Sequence, residues 1–397
     1  MNFEYEEHEQ LLADNVRRYL RQHYDFEARK AFLASARGFS DDAWAVYADM
    51  GVLALTVPEA CGGFGAGAVA LSAVIECLGE TLALEPLLST LGLGARLIAR
   101  GGMPEQKARV LPGIAEGRLR LALAHGENGA RYDLAHVATR AQASGGRWLL
   151  EGTKRVVLDA PSADLLIVSA RTHGAVANAQ GISLFIVDPA ATGVRMQPYR
   201  TVDGRRAADV VLERAVVTAD DLIGPEGDAL ALLEDAVDFA TALMCAEAVG
   251  AMQDANAATL EFLKTRRQFG VPIGSFQVLQ HRMVDMTIAA EQARSMACLA
   301  CASVDSAPDA RERARVVSAA KVLIAQSCRQ VSQQSVQLHG GMGLTEEPKI
   351  SHTFRRLTTI AQQFGDEDHH LERFAAVSPD AAAVPKFFAE AGVEGRA

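Results

Sequence analysis

The sequence predicts an α+β chain with an N-terminal helical domain, a middle β domain and a C-terminal helix bundle. Three observations predict it. Apolar residues recur at helical spacing through residues 1–120, short β-branched runs cut by Gly, Pro, Asn and Asp fill 121–225, and helical spacing returns over 226–397.

In the first block, Leu11, Val16, Tyr19 and Leu20 mark one apolar helix face. The same period recurs over Ala66–Leu84, Leu91–Arg100 and Gln106–Ile114, and VPEACGGFGAG (57–67) and RGGMPEQ (100–106) read as turns between them. In the second block, Val137–Ala143 and Arg147–Glu151 flank Ser144-Gly145-Gly146, which is hairpin chemistry. Leu165–Ser169, Ile182–Asp188 and Asp209–Leu212 read as further strands. In the third block, Asp228–Arg266, Gln277–Ser306, Arg311–Gln337 and a stretch from Ile350 give four or five long helices. The Ala- and Pro-rich end is expected to fray.

Composition narrows the function. With 397 residues, 49% of them hydrophobic, the chain can bury a sizeable core, and a net charge of -10 argues against a nucleic-acid or anionic-membrane surface. The first residues are acidic and amphipathic, not basic and then apolar, so no signal peptide is read there. The most apolar stretch, Val69–Leu88, carries Glu76, Glu80 and Glu85, as a core helix does and a membrane span does not. Six scattered cysteines point to a reducing, cytoplasmic setting. Cys298 and Cys301 form a CxxC without the second pair or histidine that zinc needs, so they read as two core thiols and no metal is expected.

Three stretches carry the chemistry: LALAHGENGARYD (121–133), RRQFGVPIGSFQVLQHRMVDM (266–286) and QLHGGMGLTEE (337–347). Together with VPEACGGFG (57–65) and LEGTK (150–154) they resemble the acyl-CoA dehydrogenases over essentially the whole chain. The resemblance implies an acyl-CoA substrate and FAD shared between two subunits. The flavin ring then lies on one subunit's β domain, and the adenine and pyrophosphate lie on the other's C-terminal helices.

The dinucleotide half of that arrangement is intact. Arg266 matches the arginine that pairs with the pyrophosphate, and a permanent cation suits two phosphate charges. Phe269 and Gln277 match adenosine-side positions, and Gln337 with Gly340 and Gly341 match a turn that lets backbone approach the cofactor. Read without the resemblance, Arg266 and Arg267 are a solvated helix face, and the two glycines are a helix-ending turn.

The ring half departs from the pattern. Where the family has Thr-Glu-Pro-Gly-Ala-Gly-Ser-Asp, this chain has Gly126-Glu127-Asn128-Gly129-Ala130-Arg131-Tyr132-Asp133, so two hydroxyls are gone. Val156 and Leu158 replace a ring-packing Trp and a Ser or Thr. The implied reaction also needs a carboxylate to take the α-proton of the thioester while the β-hydrogen leaves as hydride. At the two family positions for that base stand Phe364 and Ala240, neither of which takes a proton, so the catalytic residue is unknown. Phe364 still offers a backbone N–H to an enolate oxygen. Glu247 is seven residues past Ala240, about 10 Å along the helix, and reads as a paired charge between helices. Asp238 points away from Ala240. Asp366 is the best remaining acid, although the run Gly365–His370 reads as a solvated helix start.

FRRL (354–357) and FGDEDHH (364–370) resemble a bacterial branch acting on bulky acyl-CoA thioesters, including steroid side chains. Some members there are heteromers with fewer flavins than chains. Two assemblies follow as expectations, a homotetramer or a heterotetramer with a paralogous subunit. The alternatives are a flavin oxidase or monooxygenase on the same scaffold, and a regulatory protein without chemistry, which the charge disfavours.

Overall fold

A computed structural model describes residues 5–378; the end expected to fray lies outside them. Six helices open the chain: α1 (Glu7–His23), α2 (Phe26–Ala34), α3 (Asp41–Asp49), α4 (Ala68–Thr81), α5 (Arg96–Gly101) and α6 (Pro104–Ala115). On α1 the buried residues are Ala13, Val16 and Leu20, while Leu11 is 61% exposed. Leu11 therefore lies one step off the face assigned to it. The helix expected over Leu91–Arg100 enters through a wider π-type stretch, Leu88–Ala95, whose longer turn an α-period reading does not detect.

Eight strands form one sheet: β1 (Leu121–Ala124), β2 (Arg140–Ser144), β3 (Arg147–Leu158), β4 (Leu165–Arg171), β5 (Ile182–Val187), β6 (Val194–Arg200), β7 (Arg206–Thr218) and β8 (Leu222–Ile223). Their order is β6-β7-β3-β2-β4-β5-β8, with β1 pairing parallel to β4. The β2–β3 hairpin turns at Gly145 and Gly146, both at positive φ (58° and 77°), as a two-residue turn requires. Val137 is buried but precedes β2, so that strand starts three residues later than its apolar text suggests. Three strands of this sheet are not apparent from the sequence as strands: β1; β6, an edge strand broken in pattern by Pro198; and β8, only two residues long.

Five helices complete the chain: α7 (Leu230–Thr265), α8 (Gln277–Ser306), α9 (Ala310–His339), α10 (Lys349–Gln362) and α11 (Glu367–Val377). A short two-stranded ribbon, β9 (Arg267–Gln268) with β10 (Val271–Pro272), links α7 to α8. Helix α7 is the axis, buried without interruption from Asp238 to Met252. It packs backbone to backbone on α4. A Cβ on Gly250 would sit 1.9 Å from Glu76 O, and one on Gly79 would sit 2.1 Å from Glu247 O.

The N-terminal block buries a carboxyl group at its base. Glu85 is 3% exposed; its Oε1 accepts from Tyr24 Oη (3.2 Å) and from Ser40 N (3.1 Å), while Oε2 has no partner. Burial pushes its pKa up to about 7. Native Glu85 thus keeps a proton that the unfolded chain releases above pH 4.5. Stability therefore falls as pH rises from 4.5 to 7, and the full cost persists above that. Glu85→Gln keeps the two accepted bonds. It is expected to raise stability by up to about 3 kcal/mol at pH 8 and by under about 1 kcal/mol near pH 4.5, read from urea midpoints.

Candidate functional site

Two separate concavities carry the sequence-predicted residues, and no described residue lines both. The first, about 650 Å³, lies where α7, α8 and the end of α9 meet. Arg266, Gln337, Gly340 and Gly341 line it together. Phe262 and the ring of His339 stack there at 4.5 Å, and His339 is held by Nδ1 to Ser335 O at 2.8 Å. Gly340 ends α9 at φ 61°, ψ -143°, and a Cβ on either glycine would meet nothing within 4 Å. The turn is therefore both a helix stop and an open stretch of backbone. Phe269 and Gln277 do not line this groove. Phe269 is 90% exposed at φ 53°, a strained setting for an aromatic residue, with its ring 6.3 Å from that of Phe276. At the groove Val278 (61%) and Met342 (53%) stay exposed, as do Leu344 (77%) in the following turn and, further along α8, Val284 (54%) and Ile288 (50%).

The second concavity, about 630 Å³, lies between the sheet and the bundle. One wall is the loop Gly126–Ala135 with Val156 and Leu158 of β3; the other is α7, the end of α10 and α11. Val156 sits at φ 52° beside a register shift in the β3–β7 ladder and is 55% exposed. The loop is anchored from below by Glu127, which accepts from Ala138 N (2.6 Å) and Thr139 N (3.0 Å) and from Lys154 Nζ (2.5 Å). Burial would raise the Glu127 carboxyl, but Lys154 and these bonds hold it below its usual range. Above, Arg131 reaches Asp366 at 3.6 Å and Tyr132 lies 5.2 Å from His369, so the loop is strapped to α11.

The two positions that the resemblance assigns to the base differ in placement. Phe364 lines the cavity at φ 60°, and its N–H meets no acceptor among the described residues. Ala240 does not line it. It is fully buried, with its Cβ 3.5 Å from the Cβ position of Gly92. Helix α7 instead turns Leu230, Glu234, Val237, Asp238 and Thr241 to the cavity. The reading that set Asp238 aside is therefore corrected: Asp238 faces the cavity, because Ala240 was the wrong reference face. Asp238 is nevertheless consumed, by Arg373 (2.6 and 3.0 Å) and Arg313 (3.0 Å).

Asp366 caps α11, accepting from His369 N at 3.0 Å, and does not line the cavity. The helix start it caps is less solvated than expected. His369 is half-buried and His370 is 2% exposed, held between Ser318 Oγ (3.3 Å) and Phe364 O (3.2 Å). Glu247 is paired as expected, by Arg356. Glu234, which sequence reasoning missed, is raised by burial, with Arg373 opposing. Its spacing from Asp238 and Thr241 was the available signal.

An FAD dinucleotide end suits the first site: a permanent cation, open glycine backbone and an amide converge on one groove. An isoalloxazine fits the second site less well. The shelf is aliphatic, the loop hydroxyls are absent, and Arg131 and Tyr132 bridge the walls. Among the described residues no helix is long and apolar enough to cross a membrane and no His/Cys/Asp/Glu group has metal-site geometry.

Known proteins give the same frame. Residues 6–118, 122–215 and 230–378 match the N-terminal, middle and C-terminal domain models of acyl-CoA dehydrogenase. The chain is 31% identical over 357 residues to acyl-CoA dehydrogenase FadE12 of Mycobacterium tuberculosis, covering 88% of this chain and 90% of that one. Among solved structures, a Tcur3481-Tcur3483 steroid ACAD variant is 29% identical with a TM-score of 0.85, covering 95% of this chain and 99% of that one. The ChsE4-ChsE5 complex of M. tuberculosis is 26% identical with a TM-score of 0.86, covering 97% of this chain and 100% of that one. FAD is the cofactor of this fold family. With all three domain models matched in order along it, the chain belongs to the acyl-CoA dehydrogenase family of flavin-dependent oxidoreductases.

Proposed function

We propose that this chain is the cofactor-sharing, non-catalytic subunit of a cytoplasmic heteromeric acyl-CoA dehydrogenase that introduces an α,β double bond into a bulky acyl-CoA thioester. The observation that carries the reading is the contrast between its two sites. The groove brings Arg266, Gln337, Gly340 and Gly341 together, whereas the cavity has Phe364 where the reaction needs a carboxylate. When bound, FAD supplies the two-electron acceptor for the hydride. This chain's part is to hold the phosphates with Arg266 and the backbone of the Gly340–Gly341 turn. Phe269, exposed and strained, and Gln277 lie outside this groove, on the side of the adenosine end of the same dinucleotide, and contribute less to holding it.

The exposed apolar surface around the groove supports association, since a patch of this kind is the usual mark of an interface. The relatives support a paralogous partner, one of them being the ChsE4-ChsE5 complex. The free state of all six cysteines suits a reducing compartment.

The test is flavin per chain, measured by absorbance after denaturation. Expressed alone, the protein is expected to retain little FAD and to oxidise no acyl-CoA. Co-expressed with a neighbouring paralogue that has the glutamate, it is expected to give one flavin for every two chains. Stoichiometric FAD with acyl-CoA oxidation by this chain alone would overturn the reading.

A further inference from the structure

A buried polar relay ends at a histidine that the chemistry above does not use. The register of β1 on β4, with Ala124 opposite Val168, carries His125 beside Ser169. Ser169 Oγ lies 2.9 Å from His125 Nδ1, and Lys154 Nζ donates to Ser169 Oγ at 2.9 Å and to Glu127 Oε1 at 2.5 Å. Ser169 and Lys154 are fully buried.

Proton counting fixes the tautomer. An ammonium group only donates, so Ser169 Oγ accepts from Lys154. The hydroxyl has one proton of its own, and His125 Nδ1 is the acceptor left within reach among the described residues. An Nδ1 that accepts is unprotonated, so the ring carries its proton on Nε2. The opposite tautomer would leave a buried hydroxyl proton without an acceptor, which is costly. Protonating both nitrogens would set donor against donor, and burial with the Lys154 charge lowers the His125 pKa to about 3. Nε2 has no protein partner among the described residues, and His125 lines the 630 Å³ cavity next to Gly126, Val156 and Leu158.

We infer that His125 is a fixed, neutral Nε2–H donor that recognises a carbonyl oxygen of the ligand held in this cavity. A neutral donor selects an uncharged acceptor over a carboxylate or phosphate, and the aliphatic surroundings favour an apolar body around it. Two ligands offer that oxygen: the thioester of an acyl-CoA and the ring carbonyls of an isoalloxazine. Ser169 is the positioning residue, acting through the tautomer.

Two measurements on the full chain in its native assembly test this, and neither needs turnover. A wrong partner assignment and a wrong His125 assignment therefore remain separable. The first is nitrogen-15 solid-state NMR of histidine-labelled protein, with His125 identified by the signal that His125→Gln removes. Bare Nδ1 and protonated Nε2 are expected unchanged from pH 5 to 7, below the value of about 8 to which burial lowers Lys154, with a mixed tautomer in Ser169→Ala. A protonated Nδ1 in that range overturns the inference.

The second is calorimetric binding of octanoyl-CoA, its S-octyl thioether analogue lacking the carbonyl, and lumiflavin. His125→Leu is expected to weaken octanoyl-CoA about tenfold and to spare the thioether, with His125→Gln, which keeps an N–H donor, restoring much of the loss. A loss confined to lumiflavin supports the donor and assigns it to the ring carbonyl. Unchanged affinity for both carbonyl ligands overturns it.

Discussion

Replacing Arg266 with alanine is expected to strip flavin from the assembly even though the chain that carries the ring is untouched. The residue stands exposed on the groove that also holds Gln337 and the Gly340–Gly341 turn, so its guanidinium is free to face a ligand. A pyrophosphate would take two charge-assisted hydrogen bonds from it, each worth about 1.5–3 kcal/mol. Losing both should raise the dissociation constant by at least about 100-fold. Lysine keeps the charge but not the fork, so Arg266→Lys should recover only part of it. Gln277→Ala should do far less, because Gln277 lies off the groove at the start of α8. The readout is flavin retained after gel filtration of the co-purified assembly at low and high salt. Full retention by Arg266→Ala would remove the basis for the shared cofactor.

The parts of this arrangement that sequence can reveal are those written in consecutive residues. Helical period and turn chemistry give the α, β, α order, and the groove is legible because most of it comes from two short stretches, around Arg266 and around Gly340. The cavity is not legible in that way. His125, Lys154 and Ser169 sit on different parts of the sheet, and only the β1–β4 register brings them together. On α7 the error was one of reference. Measuring side-chain directions from Ala240 assumed that Ala240 faces the cavity, while the π-type stretch Leu88–Ala95 packs on that side and turns Glu234 and Asp238 inward. His370 read as solvated because its neighbours are acidic, yet it fills the space beneath the Phe364–Gly365 turn.

Arg356→Met is expected to cost about 3–5 kcal/mol of stability, the usual penalty for breaking a buried ion pair by removing one partner. Arg356 donates to both Glu247 oxygens at 2.7 Å and to Asp203 Oδ2 at 2.9 Å; Arg205 adds a bond to Glu247 at 3.2 Å and one to Ala83 O at 2.8 Å. The cluster thus ties α10 and α7 to the β6–β7 hairpin and to the end of α4. Burial would raise both carboxyls, but Arg356 and Arg205 hold Glu247 and Asp203 below their usual range. A lowered pKa stabilises the native state above the unfolded value, and that contribution is lost as pH falls through the folded one. In the methionine variant the carboxylates face Arg205 alone and gain from protonation. The gap between wild type and variant should therefore be widest at pH 7 and narrow towards pH 4, as read from urea midpoints. Adding Glu247→Leu to Arg356→Met should recover part of the loss, since an apolar pair needs no counter-charge. If Glu247 were instead the displaced base of this chain's own reaction, Glu247→Gln would abolish turnover in the assembly while leaving stability nearly intact. With the partner carrying the chemistry, stability should fall and turnover per folded assembly should hold.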